Sequence, residues 1–202
     1  MWCGDGRARL PYVTKPTKMK VTIKPITTWQ RVANAARLTI GKTPIDHEPS
    51  TAFRRSMILA EHSPIRLLEF DIIIEDIPMW LTTHFVRHKI GVEPFVRTQR
   101  EDRNDAVVDR DSLPQGSLNT MQLSLNAQAL INISRKRLCF KAHKKATMLM
   151  MAIKSEMQNI DPIMADAMQP NCIYCGFCRE MQPCGFADSD SFDERLKSYR
   201  RR

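Results

Sequence analysis

The sequence predicts an α+β fold, and three observations carry that expectation. Two segments, Met19 to Lys24 and Ile65 to Glu75, alternate apolar and polar residues with the period of two expected of half-buried strands. Helix-period segments dominate the C-terminal half of the chain. Strands come early and helices late, which favours helices layered on a sheet over a series of βαβ units.

Taken in order, residues 1–17 are rich in Gly, Pro and basic residues without periodicity and read as an extended arm. Met19, Val21 and Ile23 alternate with Lys20, Thr22 and Lys24 to give the first strand. Thr27 or Thr28 caps a helix running to about Ile40, which Gly41 stops. Ser50 caps a second helix, with Phe53, Met57, Ile58 and Ala60 on one side, that ends near Glu61. In the second strand Leu68, Phe70, Ile72 and Ile74 share one face. Pro78 opens a short helix through Trp80, Leu81, Phe85 and Val86 to Arg87. From Arg97 to Asp111 the chain is densely charged with both signs and shows no apolar face, so it is a loop or part of a site. Helices are expected over Met121–Leu138, Lys141–Gln158 and Pro162–Met168, and the polar stretch from Phe186 to Arg202 reads as a loose tail. The chain divides into an arm (1–18), a main domain (19–170) and a cysteine-rich extension with its tail (171–202).

Composition excludes several function classes. With 202 residues, 43% of them hydrophobic, the chain can bury a core and is no disordered basic tail. No run approaches the roughly 18 apolar residues of a membrane span, and no basic segment followed by an apolar one opens the sequence, so it reads as soluble, cytoplasmic and not secreted. A surplus of 31 − 22 = +9 charges favours anionic partners, whether nucleotides, phosphate-bearing cofactors or nucleic acid. There is no internal repeat and no Gly-rich phosphate loop.

Three constellations can carry chemistry. Arg87, His88 and Lys89, followed by Arg97 and Arg100, crowd four permanent cations and an imidazole into fourteen residues. Such crowding is either solvated or neutralised by a bound anion, and guanidinium forks suit phosphates and pyrimidine carbonyl oxygens. In the second, at about 100° per residue, Asn126, Leu130, Ile133 and Arg137 fall within roughly 60° of one another on a helix. This sets an amide and a guanidinium at the ends of an apolar stripe, and because a buried guanidinium needs an acceptor, either the ends of the helix are exposed or a ligand sits there. The third is the run Cys172, Cys175, Cys178 and Cys184, whose crowding is unlike a disulfide framework. Four thiolates can complete a tetrahedral zinc site, which is favoured; three cysteines at two-residue gaps also match part of an iron–sulfur run, and the plain alternative is free buried thiols, against which Gly176, Pro183 and Gly185 supply the tight turns that ligation requires. Lone Cys139 reads as a packing residue, and His47 and His143 show no metal spacing.

Two blocks resemble a known family. Glu61-His62-Ser63-Pro64, the strand to Glu75, and Phe85-Val86-Arg87-His88-Lys89-Ile90-Gly91 leading to Arg97-Thr98-Gln99-Arg100 resemble the flavin-dependent thymidylate synthases, whose signature is Arg-His-Arg, seven residues, then Ser. Arg110-Asp111-Ser112-Leu113-Pro114, Asn126-Ala127-Gln128-Ala129-Leu130-Ile131-Asn132 and Arg137 resemble that family's Arg-x-x-Leu-Pro, Asn-Ala-Arg-x-Leu-x-Asn and downstream Arg. The resemblance spans about residues 19–165.

The resemblance implies a central, largely antiparallel sheet and a homotetramer whose sites are shared among subunits. It also implies transfer of a one-carbon unit from methylenetetrahydrofolate to C5 of dUMP, with reduction to a methyl group by FAD that NADPH keeps reduced. Carried over by position, Ser63, Arg87, His88, Lys89, Asn126 and Asn132 would hold FAD. His84, Arg87, Thr98, Arg100, Arg110 and Arg137 would hold the nucleotide, Arg137 polarising the pyrimidine as the catalytic residue. Departures from the family pattern are Lys89 for Arg, Thr98 for Ser with one extra residue before it, Arg66 for Glu and Gln128 for Arg; the acidic residue expected just before Thr98 is missing unless Glu93 supplies it. The cysteine block is an addition, and a relative acting on another pyrimidine fits the same residues. The reading from another class is a non-catalytic, zinc-stapled basic protein that binds nucleic acid with the same cations.

Overall fold

Strand-period alternation becomes a four-stranded antiparallel sheet. The computed structural model of the chain describes residues 19–103 and 109–200, so the expected N-terminal arm lies outside the described residues. In it β1 (Lys20–Pro25), β2 (Glu69–Pro78), β3 (Val92–Val96) and β4 (Leu118–Asn126) lie in the order β1-β2-β4-β3. Phe70, Ile72 and Ile74 of β2 stand opposite Leu125, Leu123 and Met121 of β4, all buried on one face. The other face carries Asp71, Gln122 and Ser124, and Ser124 Oγ donates to Asp71 Oδ1 at 2.5 Å. One dry face and one polar face are what period-two alternation requires.

The helices α1 (Trp29–Leu38), α2 (Thr51–Leu59), α3 (Met79–Val86), α4 (Ala127–Arg137), α5 (Lys144–Ile160) and α6 (Pro162–Ala167) gather around the apolar face. Ser50 caps α2 as its chemistry predicts, accepting from Phe53 N at 3.3 Å. Thr28 occupies the cap position of α1, but the hydroxyl that bonds is Thr27's: it donates to Leu67 O at 2.6 Å and accepts from Glu69 N at 2.8 Å. In α5, Ala146, Leu149, Met150, Ile153 and Met157 are buried at helical spacing against β1 and α6. Asp161 turns the chain from α5 into α6, with Pro162 in the first position of α6.

Four expectations are corrected. The helix expected over Met121–Leu138 is a strand up to Asn126 and a helix only from Ala127. Met121, Leu123 and Leu125 fit either period over so short a stretch, and pairing with β2 on one side and β3 on the other selects the strand. The strand expected from Ile65 begins at Glu69, because Ser63–Leu67 form a 3-10 turn around Pro64; it extends to Pro78 through a register shift between Ile74 and Ile77, with Asp76 at φ 58°. Edge strand β3 has no counterpart among the expected elements, since Pro94 interrupts so short a run. The stretch expected to be a loose tail forms α8 (Asp190–Arg200), which folds back on α7 (Asn171–Cys175) and buries Phe192.

Candidate functional site

Arg137 and the residues after α3 meet because β4 runs straight into α4. Asn126 ends the strand and caps the helix, its Oδ1 accepting from Ala129 N at 2.9 Å, while Ala127 N donates to Leu68 O at 2.8 Å. The eleven residues of α4 then carry Arg137 to the helix end, with Leu130 and Ile133 buried along the same stripe. There its Nη2 donates to His84 O of α3 at 2.5 Å, and its guanidinium carbon lies 5.9 Å from the Phe85 ring centroid. Its Nε is buried without a hydrogen-bond partner among the described residues. Burial, then the nearby Arg87 charge, holds this guanidinium below its ordinary pKa.

The Arg87–Lys89 segment closes the other side. Arg87 is the C-cap of α3, and His88 N donates to Phe85 O at 3.0 Å, turning the chain so that the His88 ring is half-buried while Arg87 and Lys89 stay exposed. His88 Nε2 is a second buried nitrogen without a partner among the described residues. Burial, then Arg137, lowers the His88 pKa; burial, then Arg137, Arg87 and His143, lowers that of His84. Both imidazoles are therefore held neutral close to permanent cations. A neutral ring offers one donor and one acceptor, and two orphaned nitrogens beside unbalanced positive charge call for an acceptor-rich, anionic ligand.

Gly91 adds a place of close approach. Its φ is +71°, its carbonyl accepts from Asn126 N at 3.1 Å, and a Cβ built on it would lie 2.6 Å from Asn126 Nδ2. Gly91→Ala is expected to destabilise the protein by about 2 kcal/mol, combining left-handed backbone strain with displacement of the α4 cap. Urea denaturation measures this, and a loss below about 0.5 kcal/mol would show that the turn relaxes freely.

Other candidate residues are more dispersed. Ser63 is exposed in the 3-10 turn that packs against α4. Asn132 lies roughly 140° around α4 from Arg137 at about 100° per residue. It accepts from Arg135 Nη1 at 3.2 Å, in a network where Gln128 Nε2 donates to Glu61 Oε2 at 2.5 Å and Arg135 pairs with the same carboxylate. A single chain thus sets Asn132 and Arg137 on different faces of α4. Thr98 and Arg100 follow β3, where Thr98 Oγ1 accepts from Arg100 N at 3.2 Å and Arg100 forms a fork with Asp102 at 2.9 and 2.7 Å. Arg110 opens an exposed 3-10 turn capped by Asp109, and Glu93 is exposed on β3 opposite Ser124.

Beside the Arg137 cluster stands a group that sequence reasoning missed. Trp80 packs edge-on to His84 and His143, with centroids 5.6 and 4.7 Å away, and Lys145 Nζ is 5.8 Å from the Trp80 ring centroid. His143 caps α5, accepting from Lys145 N at 3.2 Å. The available signal was Trp80 and His84 at a spacing of four on α3. Nothing local pointed to His143.

The four-cysteine set Cys172, Cys175, Cys178 and Cys184 is not gathered as the spacing suggested. Cys175, the last residue of α7, donates to Asn171 Oδ1 at 3.6 Å and does not line the pocket shared by the other three. Among the described residues, no group of three or more His, Cys, Asp or Glu side chains is set to hold a metal ion. No helix among them is long and apolar enough to cross a membrane.

No protein-family model matches the chain, and a search of curated proteins finds no match. Solved structures do match. Thymidylate synthase X (ThyX) from Helicobacter pylori, crystallised with FAD and dUMP, is similar at 15% identity and a TM-score of 0.59, covering 75% of this chain and 99% of its own. A second structure of flavin-dependent thymidylate synthase ThyX from Helicobacter pylori, complexed with FAD and dUMP, is similar at 14% identity and a TM-score of 0.61, covering 74% and 99%. The α+β architecture around an antiparallel sheet is therefore that of a flavin-dependent thymidylate synthase fold.

Proposed function

We propose that this chain is a flavin-dependent enzyme that adds a one-carbon group to C5 of a pyrimidine deoxynucleotide, converting dUMP to dTMP with methylenetetrahydrofolate and NADPH as co-substrates. The observation that carries this reading is the buried Nε of Arg137, without a hydrogen-bond partner among the described residues, beside the neutral rings of His84 and His88, on a fold shared with proteins crystallised with FAD and dUMP. A pyrimidine carbonyl oxygen and a phosphate satisfy this cluster better than water does.

Arg137, His84 and Arg87 hold the nucleotide, with Thr98, Arg100 and Arg110 reaching it from the charged loop. Arg137 stabilises the negative charge that develops on the pyrimidine as C5 becomes nucleophilic, and its half-buried setting strengthens that interaction. Ser63, Arg87, His88, Lys89, Asn126 and Asn132 hold FAD, which when bound supplies reducing equivalents to the transferred carbon. The residues present fit that group: His88 Nε2 is buried without a hydrogen-bond partner among the described residues. Asn132 and Arg137, on different faces of α4, serve one reaction if the active unit is a homotetramer whose sites draw on more than one subunit. The cysteines from Cys139 onward are unpaired, in keeping with a cytoplasmic protein.

Titration of the purified protein with FAD and then dUMP tests this reading. Bound flavin colours the protein yellow, and FAD at 100 times its Kd stabilises the fold by about 2.7 kcal/mol, seen as a rise in melting temperature. A colourless protein whose melting temperature ignores both ligands would rule the reading out.

A further inference from the structure

The fifth described cysteine changes the reading of the other four. A cavity of about 20 Å³ lies between the end of α4 and the C-terminal segment, and its lining includes Cys139, Cys172, Cys178 and Cys184. One water-sized particle needs about 10–15 Å³, so the space suits a single ion. Cys139, Cys172 and Cys178 are half-buried and Cys184 is exposed; none is in a disulfide. Cys139 is distant from the others only in sequence: it follows the end of α4, two residues beyond Arg137 and 33 before Cys172.

We propose that Cys139, Cys172, Cys178 and Cys184 are the ligands of one thiophilic divalent cation such as zinc, with Cys139 taking the place that sequence spacing gave to Cys175. Four thiolates at about 2.3 Å satisfy tetrahedral zinc, and each thiol releases its proton to solvent as its bond to the metal forms. The thiols are not yet at ligating positions, so binding draws them inward. The segment that must move, 177–185, contains no helix or strand, and it is flanked by Gly176 at φ +85° and Gly185 at φ +82°. Cys172 and Cys139 are anchored by α7 and by the end of α4, which pack together. Arg179 and Glu180 both line the cavity, so the metal would sit beside one charged side chain of each sign. Phe140 packs edge-on against Phe186 at 5.2 Å across the same junction, so the metal would close a contact already formed.

The test uses the full-length protein. After expression with zinc, elemental analysis is expected to find one zinc per chain. Alkylation by iodoacetamide, mapped by peptide mass spectrometry, should be at least roughly tenfold slower at Cys139, Cys172, Cys178 and Cys184 than after chelation, with Cys175 unchanged. Cys139→Ser should lose the zinc and Cys175→Ser keep it, with far-UV circular dichroism reporting the fold. If Cys139→Ser does not fold, the alkylation map of the unsubstituted protein decides. Equal reactivity of Cys139 with and without zinc, protection of Cys175 in its place, a disulfide among the four, absence of metal, or iron with sulfide would each overturn the assignment.

Discussion

Replacing Arg137 with alanine is expected to lower kcat/KM for dUMP by at least about 10²–10³-fold, the usual effect of removing a group aimed at developing charge. Arg137 can be lost without collapse of the fold. Its guanidinium donates to His84 O at the end of α3, and its Nε has no partner among the described residues to leave behind. Circular dichroism and FAD affinity should therefore be near normal while dUMP affinity and turnover fall. Arg137→Lys should recover little, because an ammonium cannot keep the His84 carbonyl and offer a flat pair of donors to a ligand at once. Loss of FAD with unchanged dUMP affinity would move Arg137 to the cofactor side and overturn its assignment to the nucleotide.

The largest expected effect on stability is at Asp161. This buried carboxylate accepts from Trp29 Nε1 at 2.6 Å and from the backbone N–H groups of Ile163 and Met164, both at 3.1 Å. It thereby caps α6 and ties the α5–α6 corner to α1 across 132 residues of sequence. Asp161→Ala strands three donors, two at a helix N-terminus and one on a buried indole. The cost is on the order of 3 kcal/mol, or about 10 °C in melting temperature for a chain of this size. Combining Asp161→Ala with Trp29→Phe should recover part of the loss, since the indole donor disappears with its acceptor. A single-mutant loss below about 1 kcal/mol would show that water replaces the carboxylate.

Legibility of the fold depended on segment length. Ile72 and Ile74, with their polar neighbours, make a run long enough to fix the strand period, and Ser50 and Pro162 announce helix starts by chemistry that acts within one turn. Met121 to Leu125 read as helix because a short apolar alternation flowing into a true helix fits both periods, and only the ladders to β2 and β3 separate them. Phe192 was invisible as a core residue because one aromatic in a polar stretch has no periodicity to declare it.

The same division runs through the candidate sites. Sequence by itself determined the α+β class, the basic Arg87–Lys89 segment, the stripe from Asn126 to Arg137 and the presence of a thiol-rich segment, because each is written within one short stretch of chain. Tertiary structure alone decided that Arg137 meets the His84 carbonyl 53 residues away, that its Nε and His88 Nε2 lack partners among the described residues, that Trp80 and His143 stand beside them, and that Cys139 rather than Cys175 shares a cavity with three other thiols. Periodicity and capping act over a few residues, whereas burial and convergence are set by which distant segments pack together, and no local pattern encodes that.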